Sequence, residues 1–234
     1  MSELDFTTNA PKPAPATRRI LVSDFDGTMT RYDFYDLVRQ RWPIPPEHDP
    51  WEQYVVGRLT HFEALAAIFA RIRADEASLL ALAERMELDA GLPQAVERLR
   101  RHGWEIVVAS AGCAWYIDHL LRRADVALEV HANPGTYAAA TGLRMALPES
   151  SRFLSRSTGI DKPAVVRDAL RRAPEVAFAG DGRPDLEPAL LVPAPRRFAR
   201  GWLADHLCSE KRPFQAFDRW SQIADHLLAP PAPC

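Results

Sequence analysis

The chain has 234 residues, of which 29 are Lys or Arg and 31 are Asp or Glu, so its formal net charge is −2. This near balance argues against a protein that binds nucleic acid through a strong positive charge. Three widely spaced cysteines match neither a zinc site nor a disulfide framework, which favours a reducing, cytoplasmic location. No apolar run is long enough for a membrane-spanning helix, and the N-terminal residues lack the basic start and apolar centre of a secretory signal.

Proline-rich segments lie at both ends of the chain. We expect residues 1–18 to form a disordered tail and residues 230–234 to form a flexible C-terminus. Between them, short apolar runs at residues 20–22, 104–109 and 176–179 alternate with helical patterns, and each run ends in a polar loop that contains glycine. Such runs are typical of parallel strands covered on both faces, so the predicted fold is α/β with a doubly wound parallel sheet.

The segments between the strands carry helix signals. Residues 93–101 begin with proline and end on basic residues, and residues 163–172 and 218–228 also have helical spacing. Residues 128–147 contain strand-forming sequence and resemble a hairpin more than a further crossover.

A long insertion follows the first strand. Residues 33–92 span about sixty residues, whereas a crossover between parallel strands needs about a dozen or more. Thr60 and Glu63 have the spacing of a capping box, and apolar residues follow at helical intervals. We therefore predict a small helical cap at 33–92, inserted in a core domain formed by residues 19–32 and 93–229.

Polar residues that follow the three strands carry the chemistry. Asp24 and Asp26 follow the first strand, Ser110 follows the second, and Asp181 and Asp185 follow the third. Because the carboxyl ends of parallel strands meet at one edge of a sheet, their loops can share a site. Crowded carboxylates repel one another unless a cation lies among them, and an all-oxygen set suits Mg²⁺, which we predict as the cofactor.

A centre of this kind can also bind a phosphate group. Lys162 at the start of a helix, the Ser110 hydroxyl and the backbone N–H groups at Ala111 and Gly112 would complement its charge. One carboxylate is then free to attack phosphorus, while another transfers the proton of the leaving group. The predicted partner is accordingly a small phosphorylated metabolite.

Four motifs in this order resemble those of the haloacid-dehalogenase-like (HAD) superfamily. They are DFDGT at 24–28, VVASAG at 107–112, Lys162, and GDGRPD at 180–185. The resemblance implies that Asp24 is a nucleophile that forms an aspartyl-phosphate. An acid two residues later is similar to the pattern of the phosphatases and phosphomutases of this superfamily.

The resemblance also assigns roles to the other matching residues. It implies that Asp26 is the general acid–base and that its backbone carbonyl reaches the metal ion. Ser110 and Lys162 would hold the transferring phosphoryl group. Asp181 would bind Mg²⁺, and Asp185 would support or complete that site.

The all-helical insertion resembles the superfamily branch that contains phosphoserine phosphatase. The C-terminal sequence is similar to that of methionine-salvage enzymes that act on 2-hydroxy-3-keto-5-methylthiopentenyl 1-phosphate, although residues 135–156 lack the cysteine-rich stretch of some members. Asp33 lies nine residues after Asp24, where phosphoserine phosphatases carry an acid that recognises the substrate amine. We name Asp33 and Arg58 as specificity candidates. Further cap residues that could contact the substrate are Trp51, Tyr54 and His61.

These observations predict a Mg²⁺-dependent phosphatase that acts on a small metabolite. Two alternatives remain open: a phosphotransferase or mutase of the same fold, and a regulatory protein that binds phosphate without turnover. The substrate is also open, and the chain could be a monomer or a homodimer.

Overall fold

The computed structural model describes residues 18–229. The tail predicted at residues 1–18 and the C-terminus predicted at residues 230–234 lie outside the described residues, with the exception of Arg18. The guanidinium group of Arg18 lies 2.6 Å from the carboxylate of Glu105, beside the first strand.

The strands found in the described residues are β1 (Arg19–Ser23), β2 (Trp104–Cys113), β3 (Glu129–Asn133), β4 (Gly135–Ala138), β5 (Gly142–Met145), β6 (Leu154–Ser155), β7 (Gly159–Ile160), β8 (Glu175–Gly180), β9 (Arg197–Ala199) and β10 (Gln215–Ala216). Six of them form a parallel sheet in the order β10, β9, β8, β1, β2, β3. The predicted α/β fold with a parallel sheet is confirmed.

The α-helices found in the described residues are α1 (Phe34–Arg41), α2 (Pro50–Val55), α3 (His61–Phe69), α4 (Glu76–Glu84), α5 (Leu92–Arg101), α6 (Ala114–Arg123), α7 (Lys162–Arg172), α8 (Leu186–Leu190), α9 (Gly201–Ser209) and α10 (Ser221–Leu228). No helix within residues 18–229 combines the length and apolar character needed to cross a membrane.

The prediction of a hairpin over residues 128–147 is only partly correct. β3 joins the parallel sheet as an edge strand beside β2, because α6 returns the chain to the sheet in the same direction as β2. Val130 and Ala132 pack against the large apolar core, which holds this strand on the sheet. Only β4 and β5 form an antiparallel hairpin.

The apolar core is divided by the sheet. One buried cluster contains the apolar faces of α5, α6 and α10, and it continues into the helices that follow β1. The other cluster lies under α7, α8 and α9. α5 shows how the sequence specifies this packing, because Leu92, Ala95, Val96 and Leu99 recur at helical spacing and are all buried.

Four helices, α1 to α4, occupy the long insertion. The capping box predicted at Thr60 is confirmed, since Glu63 N–H donates to Thr60 Oγ1 (3.2 Å) and Thr60 N–H donates to the Glu63 carboxylate (2.8 Å). The insertion is tied together where it begins and ends by an antiparallel bridge between Thr30 and Leu88. The two points at which the chain leaves the core and returns to it are therefore adjacent.

Candidate active site

The site lies at the edge of the sheet where β1 ends. Ser23, the last residue of β1, is in register with Val108 on β2 and with Ala179 on β8. The strand order reverses at β1. From β1 the chain continues to β2 and β3 on one side of the sheet, and it later forms β8, β9 and β10 on the other side. Such a reversal opens a crevice at the carboxyl ends of the strands, where open α/β sheets bind their ligands.

Three carboxylates meet in this crevice. Asp24, Asp181 and Asp185 each place an oxygen within 4.8 Å of the others. Lys162 Nζ lies 2.9 Å from Asp24 Oδ1 and 2.6 Å from Asp185 Oδ1. The structure thus brings together four residues that the sequence places on two separate loops and one helix.

Asp185 holds this arrangement in place. Its Oδ2 atom accepts hydrogen bonds from the backbone N–H groups of Asp181 (3.1 Å) and Gly182 (2.9 Å), while Oδ1 faces Lys162. The Thr28 hydroxyl donates to Asp181 Oδ1 at 2.7 Å. The loop after β1 and the loop after β8 are therefore fixed to each other through the carboxylates themselves.

The electrostatics of the cluster are unfavourable for so many negative charges. Burial and the neighbouring charge of Asp185 raise the pKa of Asp24 well above its usual range, although Lys162 opposes this shift. The same two causes raise the pKa of Asp181 to about 7. Burial disfavours the charged form of Lys162, but Asp185 and Asp24 outweigh it and raise the pKa of this ammonium group. Oxygen-only donors with excess negative charge fit a hard divalent cation.

Asp26 lies beside this cluster in a separate hydrogen-bond network. Its Oδ2 atom accepts from the hydroxyl groups of Tyr116 (3.1 Å) and Ser110 (3.3 Å), and its Oδ1 atom accepts from Phe34 N–H (3.3 Å). Burial raises the pKa of Asp26, and the Tyr116 hydrogen bond acts against that shift. Burial of this carboxyl group therefore favours its protonated form.

The residues after Ala109 form an irregular end of β2. The strand continues to Cys113, but its register with β3 shifts between Ala109 and Cys113, so these residues no longer follow a regular ladder. Gly112 N–H donates to Ser110 Oγ at 2.9 Å, and Asn133 Nδ2 donates to Ala111 O at 2.8 Å. These two hydrogen bonds hold residues 110–112, the segment predicted to bind phosphate, in place.

A cavity of about 340 Å³ lies above these groups, between the sheet edge and helices α1 to α3. Its floor contains the carboxylates of Asp24, Asp26 and Asp181, the end of β2 at residues 110–112, and Lys162. The helices contribute acidic, aromatic and apolar side chains, namely Asp33, Tyr35, Asp36, Trp51, Tyr54, His61, Leu65 and Phe69. Burial lowers the pKa of His61 to about 4, so its imidazole is uncharged at neutral pH.

The two specificity candidates differ in position. Asp33 caps α1, accepts a hydrogen bond from Tyr35 N–H (3.0 Å) and lines the cavity. Arg58 does not line it, because the residue lies beyond the end of α2, is exposed, and donates to Gln53 Oε1 at 3.1 Å. The position of Arg58 gives no support to its role as a specificity residue, which stays a prediction.

Several cavity residues were not identified from the sequence. Tyr116 follows an apolar pattern on α6, which is typical of a core aromatic residue, and only its hydroxyl distinguishes it. Thr28 belongs to the DFDGT stretch, but the motif alone does not indicate that its hydroxyl contacts Asp181. Arg183 and Trp202 line the opposite wall, where the guanidinium group lies 4.8 Å from the indole ring.

The family model for haloacid dehalogenase-like hydrolases matches residues 21–189, which includes every acidic residue of the cluster. The chain belongs to the haloacid dehalogenase-like hydrolase family. The resemblance of its four motifs to this superfamily is thereby confirmed. No protein of curated function matches the sequence of this family member.

Solved structures of other HAD proteins share the fold. A HAD family hydrolase from Salmonella enterica serovar Typhi has a TM-score of 0.64 at 19% identity, covering 88% of this chain and 69% of that chain. A probable phosphoserine phosphatase from Vibrio cholerae has a TM-score of 0.62 at 17% identity, covering 92% and 68%. A phosphoserine phosphohydrolase-like protein from Francisella tularensis has a TM-score of 0.62 at 15% identity, covering 90% and 100%. Similarity at these identities extends to the fold and no further.

Proposed function

We propose that this HAD family member is a Mg²⁺-dependent phosphatase that hydrolyses a small-metabolite phosphomonoester through an aspartyl-phosphate intermediate. The observation that carries the proposal is the position of Asp24. This buried carboxylate lies at the cavity floor, 2.9 Å from Lys162 Nζ and beside the acidic groups of Asp181 and Asp185. A nucleophile, a fixed cation and a set of acidic ligands are what transfer of a phosphoryl group requires.

In the first half of the proposed reaction, a carboxylate oxygen of Asp24 attacks the phosphorus atom. A bond forms between them while the bond from phosphorus to the ester oxygen breaks. The electron pair leaves with the ester oxygen, which takes a proton from Asp26. Lys162 and the Ser110 hydroxyl would bind the phosphoryl oxygens and stabilise their charge.

In the second half, Asp26 acts as a base. Its carboxylate takes a proton from a water molecule, whose oxygen attacks the phosphorus of the aspartyl-phosphate. The bond between phosphorus and Asp24 then breaks, which releases inorganic phosphate and restores the carboxylate. The same residue thus serves as acid and then as base.

The acidic set supports Mg²⁺ as the cofactor. We propose that Asp24, Asp181, Asp185 and the backbone carbonyl of Asp26 hold the ion. Excess negative charge on these buried groups, expressed as the raised pKa of Asp24 and of Asp181, is the property that a divalent cation would relieve. When bound, Mg²⁺ supplies positive charge that offsets the negative charge of the phosphate group.

The helices above the floor support a role for the insertion as a cap. They enclose the cavity from the side opposite the sheet, and such a cover restricts the access of water while the leaving group departs.

The same proposal places the enzyme in the cytoplasm, where free thiols such as that of Cys113 remain reduced.

Release of phosphate from p-nitrophenyl phosphate tests the proposal. We expect turnover with Mg²⁺, loss of turnover with EDTA, and a decrease of at least about 10³-fold in the Asp24→Asn variant. Asp118→Asn is the matched control, because Asp118 is an exposed acid on α6 away from the cavity. Normal activity of Asp24→Asn, or activity that EDTA does not reduce, would overturn the proposal.

A further inference from the structure

The helical side of the cavity contains a group of aromatic rings in mutual contact. We call Tyr35, Trp51, Tyr54 and His61 the aromatic wall. The rings of Tyr35 and Trp51 are stacked with centroids 4.2 Å apart, and the centroids of Trp51 and Tyr54 are 5.0 Å apart. His61 completes the group, with its centroid 5.3 Å from that of Tyr54 and 5.6 Å from that of Trp51.

The charged residues on this side of the cavity are acidic. Among the described residues of α1 to α3 and the segment before α1, the acidic residues that line the cavity are Asp33 and Asp36. Burial and the charge of Asp26 raise the pKa of Asp33, a shift that a cationic group beside it would oppose. The neighbouring cations lie elsewhere. Arg39 bonds to Asp49 at 2.6 Å and Arg58 bonds to Gln53 at 3.1 Å, and neither lines the cavity. His61 adds no charge at neutral pH.

The cations of the cavity belong to the core side. Lys162 is engaged by Asp24 and Asp185, and Arg183 lies over the ring of Trp202. A leaving group that carries a carboxylate or a second phosphate would face Asp33 and Asp36 without a cation on the cap side. A positively charged leaving group would instead meet aromatic rings and carboxylates together, which is the environment that binds alkylated ammonium groups.

We infer that the substrate is the phosphate monoester of an alcohol that carries an alkylated ammonium group, with that group held by the aromatic wall and by Asp33 and Asp36. This inference rests on the proposed phosphatase function, because it names the alcohol that the reaction releases. The ammonium group stays intact during the reaction. Only the ester bond to phosphorus is broken, and water supplies the oxygen of the released phosphate.

Three monoesters test the charge and the shape of the leaving group separately. They are phosphocholine, 3,3-dimethylbutyl phosphate, which has the same shape without the positive charge, and phosphoserine, which carries a primary ammonium group and a carboxylate. We expect kcat/KM for phosphocholine to exceed the value for each of the other two by about tenfold or more. Equal values for phosphocholine and its uncharged isostere, or a preference for phosphoserine, would overturn the inference.

Variants locate the preference on the cap. Trp51→Leu and Asp36→Asn are each expected to raise KM for phosphocholine several-fold, with a smaller change in kcat for the same substrate. Glu52→Gln is the matched control, because Glu52 is an exposed acid on α2 that does not line the cavity. A KM for phosphocholine that stays at the wild-type value in both cavity variants would contradict the assignment to this wall.

The failure of this inference can be separated from failure of the proposed function. Hydrolysis of p-nitrophenyl phosphate without a preference for phosphocholine overturns the inference alone. If no monoester is hydrolysed, the proposed function fails, and the inference fails with it. Calorimetric titration of the Asp24→Asn variant with phosphocholine and with the uncharged isostere adds a binding measurement, in which we expect phosphocholine to bind about tenfold more tightly.

Discussion

The hydroxyl group of Tyr116 donates a hydrogen bond of 3.1 Å to Oδ2 of Asp26, across 90 residues of sequence. The same hydroxyl accepts a hydrogen bond from Cys113 N–H at 3.1 Å, so it joins the end of β2 to the proposed general acid, Asp26. Tyr116 is buried, and its ring lies 4.4 Å from that of Phe34. Tyr116, which belongs to none of the four sequence motifs, therefore forms part of the environment of Asp26, which belongs to the first motif.

We expect Tyr116→Phe to move the alkaline limb of the kcat/KM profile to higher pH. Burial raises the pKa of Asp26 and the Tyr116 hydrogen bond lowers it, so removal of the donor raises this pKa further. In the proposed mechanism Asp26 must be protonated to release the leaving group, and in this variant it would keep its proton to higher pH. Tyr137→Phe is the control, because that hydroxyl donates to Ala74 O outside the site. Coincident alkaline limbs for wild type and Tyr116→Phe would contradict the expectation.

Lys162 is expected to contribute to stability as well as to phosphate binding. Lys162→Met leaves the buried carboxylates of Asp24 and Asp185 without their cation, and loss of one partner of a buried ion pair costs about 3 kcal/mol or more. Urea unfolding in EDTA would measure this cost. Arg167→Ala on the same helix removes an exposed pair with Glu187, and we expect it to cost less than about 1 kcal/mol. Equal losses in the free energy of unfolding in the two variants would show that Lys162 does not stabilise the buried carboxylates.

Gly27 is expected to be essential for the position of Asp181. Its φ of +67° is costly for other residues, and a Cβ atom there would lie 2.3 Å from Asp181 Oδ2. Gly57 has a similar φ of +76° but no atom near the position of a Cβ. We expect Gly57→Ala to cost about 1 kcal/mol and to retain activity. Gly27→Ala should in addition raise the Mg²⁺ concentration for half-maximal activity about tenfold or more, because Asp181 must move. A Mg²⁺ requirement that is the same in both variants would refute this role.

In the absence of a divalent cation, the folded protein is expected to lose stability as the pH rises from about 4 to about 7. The pKa of Asp181 is raised from 3.8 to about 7 in the folded protein, so in this range the folded state holds a proton that the unfolded state has lost. Stability is then present at low pH and decreases as the carboxylate ionises. Thermal unfolding in EDTA at several pH values would show the decrease, and addition of Mg²⁺ should raise Tm more at pH 7.5 than at pH 5.5. A decrease of the same size in Asp181→Asn would assign it to other groups.

The core of the site was predictable because sheet topology alone brings it together. Asp24, Ser110 and Asp181 follow three apolar runs, and parallel strands necessarily present the residues after them at one edge. Lys162 was predictable from its place at the start of α7, a helix that proline and spacing both indicate. The positions of Asp24, Ser110 and Asp181 do not depend on how a helix is rotated.

The cap side of the cavity was not predictable to the same degree. Trp51 and Arg58 lie only seven residues apart, yet one lines the cavity and the other is exposed beyond the end of α2. That difference depends on where α2 ends and how it packs against α1 and α3, which short-range patterns do not specify. Residues 129–133 show a similar limit, because a strand at the sheet edge and a hairpin strand have the same composition.

The bridge between Thr30 and Leu88 has a consequence for how such enzymes diversify. Because the inserted helices depart from the sheet-bearing part of the chain and rejoin it at adjacent backbone positions, the intervening segment can be lengthened, shortened or replaced without disturbing the pairing of the six parallel strands. In a chimaera that joins a foreign helical segment at these two points, we expect the proposed phosphatase activity to stay with the sheet of this chain and the selectivity to follow the donor of the helices.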